Sequence, residues 1–247
     1  MAAAGPDGRS CVHVAEQRAR WERRRRRAAQ ELVGSEQRYL EQLDLVATFF
    51  VAILKAKGTL KPAVLEALFG PWESVCSASR TLVFHLERGH LALGLEGFRH
   101  QVVLYRHYAE NFAQAKKTLQ KQVRKNKSFV RFKKLQEARP EFKGSRLEDV
   151  LPLPLQRLPQ YKCLLEVLVE NTFPDSSEFE QLTGVLKSVS EVLHQVQEIS
   201  RFHENSCQMS RVQKLLKGQK IQLLAPGRPP LNYDFVMLLH LVWSLER

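Results

Sequence analysis

The chain has 247 residues, enough to bury one large core with extensions. Its 44% hydrophobic and 26% charged content is that of an ordinary globular protein and excludes a fibrous or low-complexity chain. The net charge of +12 favours acidic partners. The four cysteines, Cys11, Cys76, Cys163 and Cys207, are far apart and share no C-x-x-C spacing, which argues against a disulfide framework or zinc site.

Residues 1–22 read as a flexible leader without the pattern of a signal peptide. Residues 23–27 are consecutive arginines. Such a run is either a nuclear-import signal or the exposed start of a long helix, and the lack of a breaker after Ala28 favours the helix. The first long helix is expected over residues 24–57, ending at Gly58. Leu32, Tyr39, Leu43, Val46, Phe50 and Ile53 recur at three- and four-residue spacing. Gly34 is tolerated there at a cost of ~1 kcal/mol relative to alanine. Glu36 is the anomaly. It falls about 40° from Leu32 on an ideal helix, inside the apolar arc. An unpaired carboxylate there would be costly. It needs an internal cation, hydrogen-bond donors, or a partner that covers it.

A short helix over 62–68 follows, then a break at Gly70-Pro71 and a helix over 72–87. Gly89, Gly94 and Gly97 punctuate the next connection. Phe98, Val102, Tyr105, Ala109, Phe112 and Leu119 form one stripe. Between residues 116 and 146 lie twelve basic residues against two acids. Lys121, Arg124, Lys125, Lys127 and Arg131 form the densest part. They suit an acidic membrane or another polyanion, or are a solvated helix face. This segment is expected to be helical to Arg139, with Phe129, Phe132 and Leu135 inward, and to break over 140–145.

Residues 147–172 read as a buried helix with a proline-shaped entry at Pro152 and Pro154 and a bend near Pro159. Leu151, Leu155, Leu158, Tyr161, Leu165, Leu168, Val169 and Thr172 share one stripe, with Gln156, Gln160, Cys163, Leu164 and Val167 opposite. A helix short of charge on both sides is either surrounded by its own protein or offers one face to a partner. After a turn over 173–177, a last helix is expected over 178–205. Leu182, Val185, Leu186, Val189, Leu193, Val196 and Ile199 point inward and His194 away. Residues 206–247 change character, with turn residues at Gly218, Pro226-Gly227 and Pro229-Pro230 and one strand over 220–224. The apolar run 235–243 is shorter than the ~20 residues a bilayer requires.

No phosphate-binding loop, nucleophile elbow, zinc-protease or kinase pattern occurs. His85, His90, His100 and His107 lack the spacing and acidic companions of a metal site. No metal or cofactor is expected, and binding rather than bond making is indicated.

Three segments carry a resemblance. PLPLQRLPQYKCLLEVLVENT, residues 152–172, is similar to the third signature segment of the Dbl-homology domain of Rho guanine nucleotide exchange factors. ELVGSEQRYLEQL, residues 31–43, resembles the first signature helix with its Ser/Thr-Glu-x-x-Tyr core. Residues 68–87 and 105–137 resemble the middle segment. The resemblance covers about residues 25–205. It implies an all-α, elongated helical bundle with a short irregular C-terminal extension. The expected division is leader 1–22, Dbl-homology domain 23–205, and linker with an incomplete pleckstrin-homology-like remnant 206–247. It implies a Rho-family small GTPase as partner, no nucleic acid, and a cytoplasmic site of action, including the plasma membrane. Glu36 matches the acid that contacts switch I. The helix with Gln156, Arg157 and Gln160, and the last helix with His194, would reshape switch II and loosen magnesium and GDP. The chain departs from the pattern at Gln160, usually Lys or Arg, and at His194, usually Asn. A non-catalytic adaptor that binds a GTPase or membrane through the same bundle is the alternative reading. A nucleic-acid binder using residues 116–146 lacks a supporting motif.

Overall fold

The computed structural model describes residues 8–215, which fold as helices without a strand. They comprise α1 (Gly8–Val46), a π-helical segment (Ala47–Ala52), α2 (Ile53–Lys57), α3 (Pro62–Phe69), α4 (Trp72–Glu87), α5 (Leu91–Gln101), α6 (Val103–Lys125) and α7 (Lys127–Glu137). A 3-10 turn (Pro140–Phe142), α8 (Leu147–Val150), α9 (Leu153–Glu170) and α10 (Ser177–Leu215) follow. The chain divides into two units, residues 1–193 and 194–247.

The first unit is a helical bundle in which α1 packs against α4 and α9, α4 along α5, and α6 against α3 and α9. Its core is aromatic and aliphatic. Trp72 is fully buried and donates its indole N–H to the Leu43 carbonyl at 3.1 Å, which satisfies its one polar atom. Tyr108 is buried and donates to the Leu151 carbonyl at 2.7 Å, tying α6 to the entry of α9. Phe50 meets Phe132 and Phe142 edge-on, at centroid distances of 5.7 Å each. The second unit, in its described part, is the continuation of α10 from His194 to Leu215.

Several elements differ from expectation. The first helix begins at Gly8 rather than near residue 24, because nothing in the intervening sequence stops it. It ends at Gly58 as expected, where a positive φ of 59° suits glycine. The π-helical turn at Ala47–Ala52 within it has no glycine or proline to announce it. The glycine-punctuated stretch is helix α5, not a loop. Gly94 is there for close approach, since a Cβ on it would stand 2.8 Å from the Cβ of His85 on α4. The basic segment is two helices. Asn126 separates them and caps α7, its side-chain oxygen accepting the Phe129 N–H at 3.0 Å.

Phe129 and Phe132 are buried, but Leu135 is 64% exposed. Each three-residue step falls about 60° short of a full turn, so Leu135 has rotated off the face that Phe129, Phe132 and Gln136 define. α9 accommodates Pro159 in its interior. The last helix runs past residue 205 to Leu215. The strand expected over 220–224 lies outside the described residues.

Candidate functional site

Glu36 is fully buried on α1. Its nearest cation is Arg157 of α9, itself only 3% exposed. The Arg157 Nη2 and Nε donate to Glu36 Oε2 at 2.9 and 3.2 Å. Tyr161, one turn along α9, donates its hydroxyl to the same carboxylate, 2.7 Å from Oε2 and 2.9 Å from Oε1. Ser79 of α4 donates to Oε1. The Tyr105 hydroxyl lies 3.2 Å from that of Tyr161. Tyr161 has one proton and spends it on Glu36, so Tyr105 is the donor of that pair. Three helices, α1, α4 and α9, therefore meet on one carboxylate, and α6 joins them through Tyr161. Such a cluster offsets the desolvation of two buried charges only because nearly every lone pair and N–H is used.

The electrostatics follow. Burial lowers the Arg157 pKa, but Tyr161 and Glu36 outweigh it and the net shift is upward. Burial, then the Glu36 charge, raises Tyr161 well above the ordinary tyrosine value. The guanidinium also lies 4.6 Å over the Tyr161 ring and 5.6 Å over Tyr39.

Arg157 connects this cluster to the surface. Nη2 also donates to Ser35 Oγ at 2.9 Å, and Nη1 donates to Gln160 Oε1 at 2.7 Å. A guanidinium only donates, so the Gln160 carbonyl must face it and the amide NH₂ is left outward. Gln160 and Gln156 are exposed, one turn apart on the same face of α9. On the facing side of α1, Glu31, Arg38 and Gln42 are exposed and Ser35 is half-buried. These residues and Leu153 line a groove of about 410 Å³.

The expected residues thus separate into two layers. Gln156 and Gln160 stand on the surface, with Arg157 just below and Glu36 beneath it. The acid that reaches the groove is Glu31, paired with Arg38 at 3.3 Å across two turns of α1. It was not among the residues expected from the sequence. Its signal is a polar stripe at 31, 35, 38 and 42, within about 60° on the helix and flanking the apolar arc. His194 is exposed and opens the second unit. Lys121, Arg124, Lys125, Lys127 and Arg131 are all exposed on α6 and α7.

Residues 28–197 match the RhoGEF domain, and the chain belongs to that family. Rho guanine nucleotide exchange factor 39 of mouse is 51% identical over 219 residues, covering 89% of this chain. The human protein of that name is 50% identical over 215 residues, covering 87%. The chain spans 64% of the length of each. Among solved structures, autoinhibited Vav1 aligns with a TM-score of 0.70 at 20% identity, over 82% of this chain and 38% of that one. The PDZ-RhoGEF DH/PH domains in complex with GTP-γS-activated RhoA align at 0.64 and 21%, over 82% and 62%. These place the fold among DH/PH proteins.

Proposed function

We propose that this chain promotes GDP release from a Rho-family small GTPase and that the groove between α1 and α9 receives the GTPase. The reading is supported by membership of the RhoGEF family and by relatives at 50–51% identity that are named Rho guanine nucleotide exchange factors. The observation that carries it is the groove itself. Exposed Glu31, Gln156 and Gln160 line it, and the buried Glu36–Arg157 pair fixes its floor.

Exchange makes and breaks no covalent bond. It is accelerated by a surface that binds the nucleotide-free state better than the loaded one. A shift of the GTPase from one state to the other needs differential affinity, and a rigid groove supplies it without reorganising. In this scheme Glu31 is the acid that meets the GTPase. Glu36 sets Arg157, and Arg157 sets the Gln160 amide. His194 is a further exposed contact. The site of action is the cytoplasm, including the inner face of the plasma membrane.

Release of fluorescent GDP from a panel of Rho-, Rac- and Cdc-type GTPases tests the reading. Acceleration for at least one member is expected. Binding of a nucleotide-free GTPase without release would leave the adaptor reading. Neither binding nor release from any member would overturn both.

A further inference from the structure

We propose that the outward faces of α6 and α7 form a docking surface for an anionic lipid bilayer. On α6, Lys117, Lys121 and Arg124 recur at i, i+4 and i+7 and fall within about 60° of helix. On α7, Lys127, Arg131 and Lys134 repeat the same spacing. All six are exposed, as is Lys125 between the stripes. The buried residues lie on the opposite sides, Tyr108, Ala115 and Leu119 on α6 and Phe129, Phe132 and Gln136 on α7.

The stripes are not neutralised from within. Among the described residues none of these seven cations forms an ion pair. Acids near them in sequence are engaged with other cations, Glu110 with Arg106 at 3.0 Å. Glu137 and Glu148 close on Lys133, at 2.7 and 2.8 Å, on the buried side of α7. Burial lowers the Lys133 pKa, but the two carboxylates outweigh it and the net shift is upward.

Charge alone would suit any polyanion. Two features favour a bilayer. Leu135 is 64% exposed, one turn beyond Arg131 and about 80° from Lys127. Cations flanking an exposed leucine on a helix are the pattern of an interfacial contact, in which the apolar side chain enters the headgroup boundary and the charges meet anionic headgroups. The aromatic residues of α7, Phe129 and Phe132, are buried, so they offer no platform on which bases could stack. No helix among the described residues is long and apolar enough to cross a membrane, so the contact is at the surface. The proposal stands apart from the exchange reading, since it uses none of the groove residues.

The test is co-sedimentation of the full chain with phosphatidylcholine vesicles, with and without phosphatidylserine, at two salt concentrations. Binding should require phosphatidylserine and fall with salt as the Debye length shortens from ~10 Å towards ~3 Å. The double variant Lys121→Ala, Arg131→Ala should lose about 25-fold, at about fivefold per cation removed. Leu135→Ser should lose less, by an amount that salt does not change. Melting curves should match the wild type, because all three side chains are exposed. Equal binding to pure phosphatidylcholine, or unchanged binding by the double variant, would overturn the proposal. So would salt-sensitive binding of an RNA oligonucleotide without vesicle binding, which would make the surface a nucleic-acid site.

Discussion

The Arg157 guanidinium sits 2.9 Å from the Glu36 carboxylate although 121 positions of sequence separate them. The pair is almost wholly removed from water, with 3% and 0% of the two side chains exposed. Removal of one partner therefore leaves the other charge buried and alone.

Glu36→Ala should destabilise the bundle by ~3–5 kcal/mol, the usual cost of breaking a buried pair. Glu36→Gln keeps the shape and some hydrogen bonds and should cost less. Denaturant unfolding followed by circular dichroism measures both. A Glu36→Ala variant as stable as the wild type would show that the cluster does not hold the helices together.

Glu31→Ala should behave in the opposite way. Its partner Arg38 is exposed, and such pairs contribute at most ~1 kcal/mol. Stability should barely change, while GDP release should fall by one to two orders of magnitude if the groove receives the GTPase, in line with ~1.5–3 kcal/mol for a lost charged contact. Normal release by this variant would move the acidic contact away from the groove.

Gln160→Glu tests the orientation of the amide. A carboxylate still accepts from Arg157 but has no outward N–H to offer. Release should slow by about three- to tenfold or more, the worth of a hydrogen bond. Gln160→Lys, which restores an outward donor, should not slow it. Equal loss in both variants would indicate a requirement for shape rather than for a donor.

Gly94→Ala should cost ~1–3 kcal/mol, the range for overpacking a tight contact. The added Cβ would lie 2.8 Å from the Cβ of His85, which is fixed close to the α4 backbone and cannot swing away. Gly97→Ala, with open space around it, should be neutral or stabilising. Thermal melts of the two variants side by side check the contrast.

Alkaline pH should unfold the protein cooperatively. Four of the five tyrosines, Tyr39, Tyr105, Tyr108 and Tyr161, have pKa values raised above the model-compound value of 10.0, chiefly by burial. The folded state then holds protons that the unfolded state has released, so stability is fully present below pH 10 and lost as pH rises beyond it. Tyrosinate absorbance should appear together with loss of helix signal. Stepwise ionisation of these tyrosines with the helix signal intact would contradict their burial.

The sequence by itself determined the helical class, the bounds of the helices at 62–69 and 72–87, and most of the inward residues, because the 3.6-residue period is local and leaves its mark in a short window. Leu32, Leu43, Phe50, Tyr105, Tyr161 and Leu182 are all buried as their spacing implies. It also marked Glu36 as a charge out of place, and the similarity of residues 31–43 and 152–172 to known signature segments located the two helices that line the groove. Helix phase carries no information about which helix lies opposite. The cation for Glu36, the outward turn of the Gln160 amide and the position of Glu31 at the groove depend on α1 and α9 lying side by side, and only the tertiary structure decided them. The same holds for Gly94 and Leu135. A glycine reads alike in a loop and at a tight helix crossing, and a leucine at the edge of a stripe faces inward or outward according to what stands beside its helix.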